Sequence, residues 1–246
     1  MAPNLTQLTE LIARLTDYSL ASAQVVMRAG RESKPAPMLS TGGRGRNVAR
    51  ANATDAANLL IAMIACPNPG RAVEYMQDFG DLEKGETEVR GIGEFNPSDP
   101  EMSGVYIAAK ELNFGATFRD SIARLLEALG DPAFAKAIAP HLDKGLRGNI
   151  QPPTIEITIW DTLMMGAIRV DAVTYHFRHK QIANIEKGAD LDEIQHRYAE
   201  EGRVSEKYRR NIISTKQIGS AVIFPVAQLL SGVRFRDLLN DQSGGG

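Results

Sequence analysis

The stretch of the chain best suited to bind another molecule is rich in glycine and arginine: Thr41-Gly42-Gly43-Arg44-Gly45-Arg46-Asn47-Val48-Ala49-Arg50. Glycine lets a backbone approach another surface closely, because it carries no side chain beyond hydrogen. The arginine guanidinium donates paired hydrogen bonds that match phosphate oxygens and the edge of guanine. The stretch therefore predicts a cationic loop that contacts nucleic acid through Arg44, Arg46 and Arg50.

A pair of helices is predicted before this loop. Apolar residues recur at helical spacing over 5–15 and again over 20–27, and Ser19 can cap the second helix. Asp17 lies in the turn between them, where helix-turn-helix proteins often have a glycine. The spacing fits two helices of a plain bundle equally well, and the adjacent arginine-rich loop favours DNA binding.

The second helix would present polar and basic side chains to the major groove of duplex DNA. Glutamine can bind adenine and arginine can bind guanine, each through two hydrogen bonds, so Gln24 and Arg28 are the predicted base-reading residues. Lysine and arginine also neutralise backbone phosphates. The full set of predicted DNA-binding residues is Ser22, Gln24, Arg28, Arg31, Lys34, Arg44, Arg46 and Arg50.

The order of these elements resembles the winged helix-turn-helix of the MerR-type regulators. In that family a helix pair is followed by an Arg/Gly wing and then by a helix that begins near a threonine and an acidic residue. The corresponding parts here are Thr9–Gly30, Met38–Arg50 and Thr54–Cys66. The resemblance implies a DNA-binding head, and no long dimerising coiled coil follows it. A broader likeness is to prophage DNA-binding proteins and small terminase subunits.

Other chemistry has less support in the sequence. The glycine-rich stretch lacks the Gly-Lys-Ser/Thr ending of a P-loop. His176 and His179 lie in a strand-like segment that would point them to opposite faces, so no zinc site is predicted. Glu156, Asp161 and Asp171 could hold magnesium as in a nuclease, although the odd spacing of the first two separates them on a strand. We predict a protein that is not an enzyme and that has no metal or cofactor.

Charge is distributed unevenly along the 246 residues, whose net charge is -2. Residues 1–66 hold seven Lys/Arg against four Asp/Glu, whereas residues 67–116 hold four against ten. A basic head followed by an acidic stretch fits a DNA-binding unit attached to another module. The single cysteine, Cys66, excludes an intramolecular disulfide, and no apolar run is long enough for a membrane helix. A cytoplasmic protein without membrane contact is expected.

The predicted fold class is α+β and mainly helical, with a small antiparallel sheet in the C-terminal part. The predicted domains are a winged helix-turn-helix over 1–79, an acidic linker over 80–116 and an assembly or partner-binding module over 117–242. Within that module, apolar and polar residues alternate over 155–160, which predicts a first strand. The apolar pattern over 168–175 predicts a second strand, and residues 162–166 are the predicted turn between the two. Residues 190–202 are predicted to be helical, 210–214 to form a third strand, and 218–230 a helix interrupted by Pro225.

The sequence as a whole predicts a sequence-specific protein that binds double-stranded DNA, with transcriptional regulation as its function and a homo-oligomer as its active form. One alternative is a phage-type DNA-packaging recognition subunit, a small terminase. A metal-dependent nuclease and a protein–protein adaptor are the competing classes. Cleavage of DNA with a divalent ion would identify the nuclease, and an absence of salt-sensitive DNA binding would favour the adaptor.

Overall fold

A computed structural model describes residues 3–42, 50–89, 114–180 and 215–241, together with Leu112, Ala199, Glu206 and Tyr208. Within these residues, helices pack against one five-stranded antiparallel sheet. The mixed α+β class and the small antiparallel sheet predicted from the sequence are confirmed. None of the helices in the described ranges is long and apolar enough to cross a bilayer.

Four α-helices lie among the described residues of the first 80. They are α1 (Leu5–Leu15), α2 (Leu20–Glu32), α3 (Ala53–Ala65) and α4 (Ala72–Gly80), and a short 3₁₀ helix (Pro69–Arg71) precedes α4. Asn4, Ser19 and Asn52 cap the first three, since each side chain accepts a backbone N–H of the first turn that the helix leaves unpaired.

Two helix bounds differ from the ranges that the family resemblance implies. Asn52, two residues before Thr54, caps α3, because Asn52 and Asp55 exchange hydrogen bonds in a capping box. The helix α2 extends past Gly30 to Glu32. A Cβ atom at Gly30 would come within 2.7 Å of the Leu39 side chain, so this glycine instead permits close packing of the segment that follows α2.

The structure describes four further α-helices, two before residue 140 and two after residue 219. They are α5 (Phe118–Ala128), α6 (Pro132–Ile138), α7 (Ser220–Ser231) and α8 (Phe235–Asp241), with short 3₁₀ helices at Ala139–His141 and Asp161–Leu163. Pro225 was predicted to interrupt α7, but the helix runs through it. The predicted helix over 190–202 and strand over 210–214 lie outside the described residues, except for Ala199.

The sheet has the order β1-β4-β3-β2-β5, and all neighbouring strands are antiparallel. The strands are β1 (Glu83–Val89), β2 (Ile155–Trp160), β3 (Met165–Val170), β4 (Val173–Arg178) and β5 (Thr215–Gly219). The alternation predicted for β2 is confirmed, since Ile155, Ile157 and Ile159 are buried while the residues between them are partly exposed.

Three strand predictions are wrong. The pattern over 168–175 belongs to two strands, β3 and β4, because the chain turns at Asp171, whose φ of 49° an aspartate tolerates. Residues 83–89, predicted as linker, form the edge strand β1 beside β4. Ile218, predicted to begin a helix, belongs to β5, and α7 begins at Ser220.

The helix α3 lies at the centre of the molecule. All of its residues except Thr54 are buried, as its apolar sequence predicts. It packs against the helices α1, α2, α4, α5 and α7 and against the strands β2 and β5. The buried side chains form one continuous cluster from Leu5 to Leu239, so the predicted 80–116 boundary does not separate two cores among the described residues.

Candidate nucleic-acid interface

The turn between α1 and α2 is short and closely packed. Thr16 and Tyr18 donate backbone N–H groups to the Ile12 and Ala13 carbonyls at 3.0 and 2.9 Å. Asp17 takes a left-handed conformation with φ of 53°, the backbone state for which glycine is common in such turns. Ala13 is fully buried, which lets the two helices approach each other. The two helices therefore have the close connection that the sequence predicts.

The helix α2 has one buried and one exposed face. Ala23, Val26 and Gly30 are buried against the core. Gln24 and Arg28 lie on the exposed face four residues apart, and Arg31 continues that face one turn later. Ser22, also predicted to bind DNA, is half-buried, and its hydroxyl accepts a hydrogen bond from the Ser19 hydroxyl at 2.8 Å. The exposed face therefore presents an amide and two guanidinium groups to solvent.

A groove of about 400 Å³ runs along this face. Its lining includes Gln24, Arg28 and Arg31 from α2, Thr6 from α1 and Thr41 from the segment after α2. Among the residues that the structure describes, no acidic side chain pairs with Arg28, Arg31 or Lys34. The groove also contains Glu32, so its charge is not uniform.

The glycine- and arginine-rich loop begins and ends beside these helices. Thr41 and Gly42 are exposed at its start, and Arg50 is exposed at its end, where it forms an isolated antiparallel bridge with Asn4. Arg44 and Arg46 lie outside the described residues. The structure thus places Gln24, Arg28, Arg31 and the beginning of the loop around one groove.

Two polar residues of α3 contact the segment just before the loop and were not identified from the sequence. The Asp55 carboxylate accepts the Ser40 N–H at 2.7 Å, and the Asn58 amide donates to the Met38 carbonyl at 2.6 Å. Both side chains are almost fully buried. The sequence does place these two polar residues three positions apart in a largely apolar helix. Because a buried polar group requires a hydrogen-bond partner, this spacing could have indicated that they bond to another segment.

The carboxylates considered for a metal site are not brought together. Glu156 pairs with Arg169 at 3.1 Å, and Asp171 accepts the Thr154 N–H at 2.6 Å. Asp161 is 1% exposed, and neither of its carboxylate oxygens has a hydrogen-bond partner among the described residues. Within the described ranges, no three Asp, Glu, His or Cys side chains are grouped closely enough to hold a metal ion.

The remaining candidate residues occupy structural positions. His176 contacts the Glu88 carboxylate at 3.3 Å across the β4–β1 pair. Lys216 of β5 donates to the Ala65 carbonyl at the end of α3 at 3.2 Å.

Cys66 and Tyr18 line a second groove, of about 500 Å³, beside the α1–α2 turn. Burial raises the pKa of the Cys66 thiol, which donates to the Asn68 carbonyl at 2.8 Å. Burial also raises the pKa of the Tyr18 hydroxyl. Both groups therefore stay protonated near neutral pH.

Comparisons of this chain with profiles of protein families, with characterised proteins and with solved structures find no significant match.

Proposed function

We propose that this protein binds double-stranded DNA in a sequence-specific manner and regulates transcription. The observation that supports this most is the exposed face of α2, where Gln24, Arg28 and Arg31 line one groove and the two guanidinium groups have no acidic partner among the residues that the structure describes. Unpaired arginines beside a polar groove suit an anionic ligand, and glutamine adds the ability to bind a base edge.

The dimensions of α2 fit this ligand. A helix of 13 residues is about 20 Å long, and its diameter with side chains is close to the roughly 12 Å width of the major groove. In the proposed complex Gln24 and Arg28 contact base edges. Arg31, Lys34 and Arg50 contact phosphates, and Arg44 and Arg46 contact phosphates or the minor groove. We also propose a homo-oligomer, because a single head covers few base pairs.

The test is a titration of the purified protein with labelled duplex DNA at several salt concentrations. Five phosphate contacts would make the logarithm of the binding constant fall with log salt at a slope of about -4 to -5, through counterion release. Arg31→Ala should make the slope less negative by about 1. Arg147→Ala, which removes an equally exposed guanidinium from the turn near Gly148, is the matched control and should leave the slope unchanged.

Two results would count against the proposal. One is an absence of binding to any duplex at low salt. The other is an equal loss of affinity in the Arg31 and Arg147 variants, which would mean that binding depends only on the total charge.

Sequence specificity needs a separate measurement. Selection of preferred duplexes from a random pool should enrich one site with the wild-type protein. Gln24→Ala or Arg28→Ala should relax the preference at one base pair, at a cost of about 1–3 kcal/mol for each lost bidentate contact. A pool that shows no enrichment would leave a DNA-binding protein without sequence specificity, and the regulatory role would be rejected.

A further inference from the structure

The lining of the α2 groove includes an acidic side chain, Glu32, beside Arg28 and Arg31. Glu32 lies four residues after Arg28, so the two side chains project from the same face of the helix. Despite this spacing they form no ion pair, and no other cation pairs with Glu32 among the residues that the structure describes. Glu32 is exposed, so its carboxylate is open to a ligand that enters the groove.

The helical turn that carries Glu32 is held in place by the chain that follows it. The Gly30 carbonyl accepts the Met38 N–H at 2.9 Å and the Ser33 hydroxyl at 3.0 Å. The same N–H also donates to the Ser33 hydroxyl oxygen at 2.9 Å. These bonds satisfy a carbonyl that the end of the helix leaves unpaired, and they attach the last turn of α2 to the segment after it.

A carboxylate in a groove that receives DNA needs a partner other than phosphate. It repels phosphate groups, and a hydrogen-bond donor on a base edge offsets that cost. In the major groove cytosine presents an amino donor alone, whereas guanine and thymine present acceptors. Adenine presents its amino donor beside an acceptor nitrogen, which would face the second carboxylate oxygen. Cytosine is therefore the base that suits Glu32 best.

The spacing of Glu32 from its neighbours matches the spacing of bases. Gln24, Arg28 and Glu32 follow one another at intervals of four residues. Their hydrogen-bonding capacities differ, because an amide both donates and accepts, a guanidinium only donates and a carboxylate only accepts. Four helical residues rise about 6 Å, which is close to two base-pair steps of about 3.4 Å each. A helix that lies along the major groove therefore places these side chains about two base pairs apart.

We propose that Glu32 is a specificity-determining residue that accepts a hydrogen bond from the amino group of cytosine, about two base pairs from the pair that Arg28 contacts. This inference rests on the proposed function and extends it, because it assigns a base and its distance within the preferred duplex. The preferred site then contains adenine at Gln24, guanine at Arg28 and cytosine at Glu32, each about two base pairs from the next.

The test begins with the duplex that the full-length wild-type protein selects from a random pool. The pair at which Arg28→Ala relaxes the preference marks the position of Arg28, and the pair assigned to Glu32 lies two steps from it. Four duplexes that differ only at that assigned pair are then titrated at one salt concentration, because affinity depends on salt. The wild type should bind the cytosine duplex about tenfold more tightly than each of the other three.

Two Glu→Gln variants separate base recognition from simple charge. Glu32→Gln keeps the size of the side chain and adds a donor, so the preference should move from cytosine to adenine. Glu10→Gln is the matched control, because it removes the same charge from an exposed side chain of α1. Both variants should bind every duplex more tightly, since one negative charge is lost, but only Glu32→Gln should change the preferred base. Far-UV circular dichroism checks that both variants keep the fold.

The possible failures are distinguishable. A preference for cytosine that persists in Glu32→Gln overturns the inference, because Glu32 then acts only through its charge. A wild-type site without cytosine at this spacing also overturns it, while sequence-specific binding itself stands. A pool without enrichment, or no binding to duplex DNA, overturns the proposed function and this inference with it.

Discussion

The helix α2 and the sheet use their charged side chains differently. In the sheet, Arg169 pairs with Glu156 on the neighbouring strand at 3.1 Å, and His176 contacts Glu88 at 3.3 Å. On α2, Arg28 and Arg31 point into a groove without an acidic partner in the described part of the chain. The charges of Arg169 and Glu156 are therefore already paired within the fold, whereas the two α2 arginines face an open groove.

The two regions nevertheless share one core. The helix α3 packs against the helices that carry the proposed interface and also against β5. Phe118 of α5 packs on the sheet, where its ring lies over Gly166 and 5.1 Å from the ring of Phe177. The difference between the regions is therefore one of surface chemistry, and we expect the core beneath them to unfold as one unit.

The largest expected effect comes from a substitution in α3. Leu60 is fully buried, and Leu60→Ala should destabilise the protein by about 2–5 kcal/mol, because the lost methyl groups leave a cavity. The free energy of unfolding should fall equally for the helical region and for the sheet. Urea unfolding followed by the fluorescence of the single tryptophan, Trp160 in β2, should coincide with unfolding followed by far-UV circular dichroism.

The control for this prediction is Leu163→Ala, in which the same atoms are removed from a side chain that is 43% exposed. Its effect should stay within about 0.5 kcal/mol. Two separate unfolding transitions, with only the circular dichroism transition moved by Leu60→Ala, would show that the helices and the sheet are independent domains.

A smaller effect is expected at Tyr208, which links a later part of the chain to α4. Its ring packs edge-on against Tyr75 and Phe79, and its hydroxyl donates to the Asp78 carboxylate at 2.5 Å. Tyr208→Phe should cost about 1.5–3 kcal/mol near neutral pH, the range for a hydrogen bond to a charged group. Tyr18→Phe is the matched control, because the buried Tyr18 hydroxyl has no hydrogen-bond partner in the described part of the chain and its loss should cost little.

Tyr208 also predicts how stability depends on alkaline pH. Burial first, and then the hydrogen bond to Asp78, raise the pKa of Tyr208 well above its usual value of 10.0. The folded state keeps this proton while the unfolded state loses it, so the stabilisation is complete below pH 10.0 and is lost as the pH rises further. Each such group adds a slope of about 1.4 kcal/mol per pH unit. The slope should be smaller by that amount in Tyr208→Phe, and an unchanged slope would contradict the assignment.

Regular periodicity was sufficient to predict much of the helical part and the first central strand. α1, α2 and β2 each have a continuous apolar face, so their sequences carry the period of the element. The strand β1 could not be predicted in this way. Its sequence, Glu-Lys-Gly-Glu-Thr-Glu-Val, is that of a charged edge strand, and its pairing with β4 depends on residues about 90 positions away.

The candidate interface, too, could be predicted from the sequence only in part. The exposure of Gln24, Arg28 and Arg31 follows from the helical period of α2, so it could be predicted from local sequence. The contacts of Asp55 with Ser40 and of Asn58 with Met38 could not be predicted, because they join residues 15 and 20 positions apart through single hydrogen bonds. A sequence pattern indicates which polar residues are buried, but it does not identify their hydrogen-bond partners.

The smallest expected effects test the contrast of paired and unpaired charge directly. Arg169 bonds both to Glu156 and to the Asp171 carbonyl, at 3.1 and 2.7 Å, but its side chain is 39% exposed. Arg169→Ala should therefore cost only about 1 kcal/mol of stability and leave DNA affinity unchanged. Arg31→Ala should show the reverse pattern, with stability within about 0.5 kcal/mol of the wild type and weaker DNA binding. Measuring urea unfolding and DNA titration on the same two preparations gives four values. If both variants lose stability and neither loses affinity, the unpaired arginine of α2 is a structural residue and the contrast fails.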